Sequence, residues 1–340
     1  MKAIVLEGEP GKASFVTDRP LPKHRPGYIL VDTKAVALNP TDWKHIDWMN
    51  RKGLLVGCDY SGVVAETGTG YSKAWKVGDR ICGFAHGCNE LQPEDGTFAE
   101  RIAVKADVQM RVPNHMSFED AATLGVAVVT CGQGLFQQMG LDLPSQLSTK
   151  GEFILIYGGS SATGTVGIQF AKLAGYTPIT TCSPRNFDLV KSLGAVAVFD
   201  YNDPECATKI KEYTKNDLKY IWDTISLPKT AQLCSEAISP GGIYGSILEV
   251  KFPRTDVKTT FNLGYTAVGE PVKKRFFEKL DNTEDFEFMK KWIEAVEPIL
   301  EQGRLRVHPP KVDNGLENLL EGLDLLRHDK VSGQKLVYVV

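Results

Sequence analysis

The chain reads as an α/β protein built from a β-barrel-type domain and a doubly wound parallel-sheet domain. Three observations predict this. A length of 340 residues exceeds one small core and predicts two domains. Residues 1 to about 120 carry short β-runs at regular spacing, punctuated by Gly, Pro and Asp. From residue 152 the pattern alternates strand and helix, as a parallel sheet requires.

The bulk numbers exclude several classes. Hydrophobic residues make up 42% and charged residues 24%, the balance of a soluble globular protein. Net charge is −3 with no basic block, so nucleic-acid binding has no electrostatic support. No apolar run of membrane-spanning length occurs. The start, Met1-Lys-Ala-Ile-Val-Leu-Glu, is not a signal peptide, and the end carries no lipidation box. Seven cysteines without paired spacing predict reduced thiols in a cytoplasmic protein. No internal repeat is visible.

In the first part, Ala3–Leu6, Tyr28–Val31, Gly62–Ala65, Arg80–Cys82 and Arg101–Val104 are the expected strands. Ser117, three residues before Asp120, predicts a helix start. Leu124 to Phe136 is apolar with small residues. It predicts a buried helix crossing between domains, and its start also suits an apolar substrate channel. Residues 141–150 read as a polar linker.

The organising stretch is Tyr157-Gly-Gly-Ser-Ser-Ala-Thr-Gly-Thr-Val-Gly167. An apolar run, Phe153–Tyr157, leads into it and a helical pattern, Val166–Ala174, follows. Unpaired N–H groups at a helix start, with the positive end of the helix dipole, make such a turn a phosphate site. Further strands are expected at Thr177–Thr181, Val196–Phe199, Tyr220–Trp222 and Ile243–Ile247. The end of the second strand selects the cofactor. An acid there binds a ribose 2′-hydroxyl. This chain has Thr181-Cys-Ser-Pro-Arg-Asn186 instead. Ser183 donates a hydrogen bond and the Arg185 fork pairs with phosphate, so NADPH is the expected cofactor. Tyr201 is placed to close the same pocket. Gly241-Gly242 suits either a close backbone approach to the nicotinamide side or a tight turn before a last strand. Residues 284–300 and 316–326 show apolar residues at helical spacing, and 331–340 read as a turn and final strand.

Four phrases in the first part are more specific: Asn39-Pro-Thr-Asp-Trp-Lys44, Gly57-Cys-Asp-Tyr-Ser-Gly-Val63, Lys76-Val-Gly-Asp-Arg80 and Gly96-Thr-Phe-Ala-Glu100. With the glycine turn they resemble the medium-chain dehydrogenase/reductase superfamily. The resemblance implies a GroES-like catalytic domain over 1–125 and 285–340, and a Rossmann NADPH-binding domain over 126–284. Zinc members of that superfamily place a Cys near position 41 or 42 and a Gly-His-Glu further on. Here stand Thr41, Asp42 and Cys58-Asp59, and a structural zinc lobe needs four close cysteines where only Cys82 and Cys88 lie nearby. No metal site is expected, and His45 and His86 are read as surface or pocket polar groups. Reduction of an activated C=C bond, which needs no Lewis acid, is favoured over alcohol oxidation.

The likeness narrows further. Ile154-Leu-Ile-Tyr-Gly-Gly-Ser-Ser-Ala-Thr163, Thr181-Cys-Ser-Pro-Arg-Asn-Phe-Asp-Leu189, Leu193-Gly-Ala195, Phe199-Asp-Tyr201 and Val331-Ser-Gly-Gln-Lys335 are similar to the fungal trans-acting enoyl reductases of highly reducing polyketide synthases, the lovastatin and toxD-like group. The chain departs from the lovastatin-type pattern in keeping Gly164 and Gly167, in having Arg185 rather than histidine, and over Lys251 to Thr260.

What the resemblance implies is specific. Ser160, Ser161, Ala162 and Thr163 would hold the pyrophosphate. Ser183, Pro184, Arg185, Asn186 and Tyr201 would hold the 2′-phosphate. Thr41, Asp42, Trp43 and Lys44 would contact the nicotinamide half, and Ile247, Leu248, Val331 and Ser332 would pack on the cofactor. Leu124, Gly125, Val126, Ala127, Val128, Val129, Thr130 and Cys131, with Thr266, Ala267, Val268, Gly269 and Glu270, would line an acyl channel. Hydride would go to the β-carbon of an unsaturated acyl thioester. Charge on its oxygen would be met by a backbone N–H, a cofactor hydroxyl or Lys44, and the α-carbon proton would come from Asp42, Lys44 or water. The expected partner is a polyketide synthase or its peptide-synthetase hybrid, presenting the substrate on an acyl carrier protein to a monomeric reductase. The alternatives are a stand-alone NADPH quinone or alkenal reductase, and a crystallin-like protein without activity.

Overall fold

The computed structural model describes residues 1–145, 151–274 and 277–340; positions 146–150 of the expected linker lie outside them. The chain forms two compact units, Met1–Val126 with Tyr265–Val340, and Ala127–Gly264. The return to the first unit thus comes at Tyr265, against the expected residue 285.

In the first unit a seven-stranded sheet is centred on Tyr28–Ala37. This ten-residue strand has register shifts at Leu30/Val31 and Thr33/Ala35. Such bulges bend a strand. Its first half pairs with Arg101–Lys105 and its last residues with Lys335–Val339, while Asp59–Glu66 runs along the other edge. Both edges of the strand are therefore paired, and all of its residues but Asp32 and Lys34 are buried. Ile29, Val31, Tyr60, Ile81, Phe98 and Ile102 are fully buried together inside. The expected cap is present: the Ser117 hydroxyl accepts the Asp120 N–H at 3.0 Å.

The second unit is a six-stranded parallel sheet. Its order is Ala197–Phe199, Thr177–Thr181, Phe153–Tyr157, Tyr220–Asp223, Ile243–Ser246, Lys258–Phe261. The order reverses between Phe153–Tyr157 and Tyr220–Asp223. Ligands of such sheets bind at that switch, beyond the carboxyl ends of the strands. Lys258–Phe261 was not expected, and Ile243–Ser246 is therefore not the last strand. Its polar, largely exposed residues hide the edge strand from a hydrophobic pattern. Gly241 has φ +72° in a simple turn before Ile243. The stretch expected as one helix over 124–136 is an α-helix, Gly125–Cys131, running into a π-helical segment, Gly132–Gln138.

Candidate functional site

In the second unit the helix Ala162–Leu173 starts beyond the strand Phe153–Tyr157, at the switch point. Ser161 is its N-cap: the hydroxyl accepts the Gly164 N–H at 2.9 Å and meets Thr224 Oγ1 at 3.0 Å. The side chain of Ser161 is thus committed to the cap. The amides of Ala162 and Thr163, which have no carbonyl one turn back, are the donors left for a phosphate, beside a half-buried Ser160. The expectation that Gly164 and Gly167 belong to the phosphate turn is corrected. Both are buried within the helix. A Cβ on Gly164 would stand 2.3 Å from the Gly158 carbonyl, and one on Gly167 2.7 Å from the Trp222 ring. They let the helix lie close to the sheet.

After the strand Thr177–Thr181 a short turn presents Ser183 to Asn186. Ser183 Oγ lies 2.9 Å from the Tyr201 hydroxyl, so two residues 18 apart in sequence share one place. Pro184 and Arg185 are exposed and Asn186 is buried. Arg185 forms no ion pair among the described residues. The nearby Asp200 carboxylate accepts from the backbone and side chain of Asn202. Two hydroxyls with a guanidinium two residues on are groups that suit a ribose 2′-phosphate. Ile247 is half-buried, its N–H donating to Ser226 Oγ at 3.0 Å, and Leu248 is exposed.

In the first unit the helix Pro40–Trp48 carries the expected nicotinamide-side residues. Asn39 caps it, and Asp42 reaches back to accept the Asn39 N–H at 2.7 Å. Asp42 is fully buried. This corrects its expected place against the cofactor: its carboxyl belongs to the helix start. Burial pushes that carboxyl up to about 7, and nearby Asp59 adds to the rise; the Asn39 N–H, the Cys58 thiol and Lys335 oppose it. Trp43 and Lys44 are half-buried. Lys44 Nζ stands 5.7 Å from the Trp43 ring centre, and burial lowers the ammonium's pKa. Thr41 Oγ1 lies 2.5 Å from the hydroxyl of Tyr265, which is 3.2 Å from His45 Nε2. His45 and His86 are buried, not at the surface.

Sequence reading missed a buried ion pair. Lys335 Nζ donates to Asp59 Oδ2 at 2.5 Å and to Asn39 Oδ1 at 2.8 Å, while Asp59 Oδ1 accepts the Val126 N–H at 2.5 Å. Asn39 Nδ2 also donates to Asp59, at 2.9 Å. The pair fixes the start of the helix Pro40–Trp48, the entry to the helix Gly125–Cys131 and the last strand to one another. Both residues stood in quoted phrases, Gly57–Val63 and Val331–Lys335, but nothing local shows that positions 276 apart meet. Val331 is half-buried and Ser332 exposed.

Of the expected channel residues, Leu124, Gly125, Ala127, Val128, Val129, Thr130 and Cys131 are buried, with Val126 half-buried. The Cys131 thiol lies 3.7 Å from the Thr163 carbonyl, which joins this helix to the phosphate turn within the second unit. Thr266, Ala267 and Val268 are buried; Gly269 and Glu270 are half-buried, and Glu270 pairs with Lys105 at 2.5 Å. Among the described residues no three His, Cys, Asp or Glu side chains converge as a metal ligand set.

The "Alcohol dehydrogenase GroES-like domain" profile matches residues 25–114 and the "Zinc-binding dehydrogenase" profile residues 162–265. The chain is 46% identical to the trans-enoyl reductase resD of Aspergillus sclerotiorum, over 100% of both chains. It is 52% identical to the trans-enoyl reductase TOXD of Cochliobolus carbonum, over 79% of this chain and 91% of that one. An alcohol dehydrogenase superfamily protein of Novosphingobium aromaticivorans shares the fold, with TM-score 0.83 and 22% identity over 100% of this chain and 99% of that one. The expected two-domain fold and family likeness are thereby borne out: this chain belongs to the trans-enoyl reductases of the medium-chain dehydrogenase/reductase superfamily.

Proposed function

We propose that the chain reduces the α,β-double bond of an acyl thioester with NADPH, acting in trans on a carrier-bound intermediate of a highly reducing polyketide synthase or its peptide-synthetase hybrid. The observation that carries this is the full-length likeness to trans-enoyl reductases. A nicotinamide cofactor goes with the family and its nucleotide-binding fold. The choice of the phosphorylated form rests on Ser183, Arg185 and Tyr201 and on the absence of an acid at the end of the second strand.

The residues divide the work. The amides of Ala162 and Thr163 take the pyrophosphate. Ser183 and Tyr201 orient the 2′-phosphate and Arg185 neutralises it. Thr41 and Lys44 serve the nicotinamide half; a half-buried ammonium is a strong donor to a developing oxyanion. The buried residues Leu124 to Cys131 are assigned to the acyl chain; Thr266, Ala267 and Val268, buried in the first unit, are assigned to the same role, with Gly269 and Glu270 after them. Bound NADPH supplies the hydride that adds at the β-carbon. The protein works as a cytoplasmic monomer: all seven cysteines are reduced thiols, and the sheet edge Lys258–Phe261 carries an exposed lysine, which disfavours edge pairing.

The test supplies purified protein and NADPH with an enoyl pantetheine thioester, a 2-alkenal or a quinone. Faster reduction of the thioester is expected. Preference for the alkenal or quinone would replace this reading with a stand-alone reductase.

A further inference from the structure

Tyr265 directly precedes Thr266–Glu270, the segment expected to line the acyl site, and its hydroxyl is held from two sides. Thr41 Oγ1 stands 2.5 Å away and His45 Nε2 3.2 Å away. These two residues are four apart on the helix Pro40–Trp48, hence on one face. The phenol ring is walled by His86, with ring centres 4.5 Å apart, by His45 at 5.5 Å and by Phe84 at 6.1 Å. It is thus fixed against the turn of helix assigned to the nicotinamide half. Burial holds the phenol well above its ordinary pKa, so the hydroxyl keeps its proton. Of the two acids on that helix, Asp42 is turned to the helix cap and fully buried, and Asp47 is paired with Arg327 at 2.8 Å.

We propose that Tyr265 is the catalytic acid that protonates the α-carbon, with Thr41 orienting its hydroxyl and His45 restoring its proton. This rests on the enoyl-reduction reading above. Hydride addition forms the β-carbon C–H bond, and the π-electron pair moves to the thioester oxygen as an enolate. When the enolate re-forms its C=O, the α-carbon takes the proton from the Tyr265 O–H. The phenolate takes a proton from Nε2 of His45 as the ring's Nδ1 takes one from water. One hydride and one solvent proton are consumed per double bond.

The experiment compares wild type, Tyr265→Phe and His45→Gln with enoyl pantetheine thioester and NADPH. Tyr265→Phe is expected to lower kcat about a hundred-fold or more, the range for loss of a general acid, with the NADPH Kd within about twofold of wild type by the same scale of uniform binding. In the cofactor-free protein, the ¹⁵N signal of His45 Nε2 is expected to shift on Tyr265→Phe, as its hydrogen bond is lost. Incorporation of 3-fluorotyrosine at 265, which keeps the ring and its packing, is expected to move the alkaline limb of the kcat profile to lower pH. A Tyr265→Phe protein within about threefold of wild type in kcat, or a fluorotyrosine protein with an unmoved pH limb, would overturn the proposal. If wild type reduces the alkenal but not the thioester, the thioester reading fails alone, and the same variants are compared on the alkenal. If it reduces neither, both readings fail.

Discussion

The end of the second unit proposed to bind phosphate and the helix Pro40–Trp48 of the first are built on opposite terms. In the second unit the proposed recognition groups stand at or near the surface: Ser183 is half-buried, Arg185 and Tyr201 exposed. Each follows a strand end, and none of the three is buried. In the first unit the helix start hangs on Asp59 and Lys335, 0% and 3% exposed by side chain. Their charges have no access to water and depend on each other. A buried pair of this kind contributes little net stability when intact and costs much when broken. Binding residues of the first kind are tunable one at a time; supporting residues of the second kind are not.

The largest test of that contrast is Lys335→Met. It leaves Asp59 charged and buried, and about 3–5 kcal/mol of stability should be lost in urea unfolding. Adding Asp59→Asn should return a good part of it, since the uncompensated charge is then gone. A loss under about 1 kcal/mol would mean that the pair is not a dependent one, because exposed pairs fall in that range.

The second test is pH. The folded protein holds the Asp42 proton to about 7, above the ordinary carboxylate value of 3.8. Between these values the folded state binds more protons than the unfolded one, so this group's stabilising contribution is complete below the lower value and lost as pH rises through the upper. Buried His308, pushed down to about 4, slopes the other way. The difference between wild type and Asp42→Asn isolates the carboxyl. The variant should gain on the order of a few kcal/mol relative to wild type between pH 4 and 8. Parallel stability curves would show that burial does not hold that proton.

On the binding side the effect is smaller and confined to the ligand. Arg185→Ala should weaken NADPH about 10- to 100-fold, the value of a charge-assisted bond, and leave NADH nearly unchanged. Unfolding midpoints should not move. Equal loss for both cofactors would remove the 2′-phosphate from Arg185. Smallest of all, Ser117→Ala should cost about 1 kcal/mol for a lost N-cap, without a change in cofactor affinity.

The same contrast governs what the amino-acid sequence discloses. The parallel sheet announces itself through apolar runs such as Phe153–Tyr157, and the proposed cofactor choice rests on a missing acid beside Arg185. Both signals are local. Tyr265 and Lys335 are invisible on that basis, because their partners lie 224 and 276 positions away. Gly164 and Gly167 mislead for a related reason: a glycine that admits a phosphate and one that admits a helix against Trp222 look alike until the sheet is assembled. Asp42 reads as a site residue because it sits beside Thr41, yet a helix turns adjacent side chains about 100° apart. The edge strand Lys258–Phe261 is missed because three of its four residues are polar and only Phe261 is apolar.

The most direct measurement follows the hydride. Purified protein is given enoyl pantetheine thioester with NADPH carrying deuterium at the transferred position, or with the same label on NADH at equal concentration, and the product is read by mass spectrometry. A saturated thioester with one deuterium at the β-carbon, formed faster from NADPH, is the predicted result. Unlabelled thioester recovered unreduced while a quinone in the same tube is consumed, or equal rates from both cofactors, would contradict it.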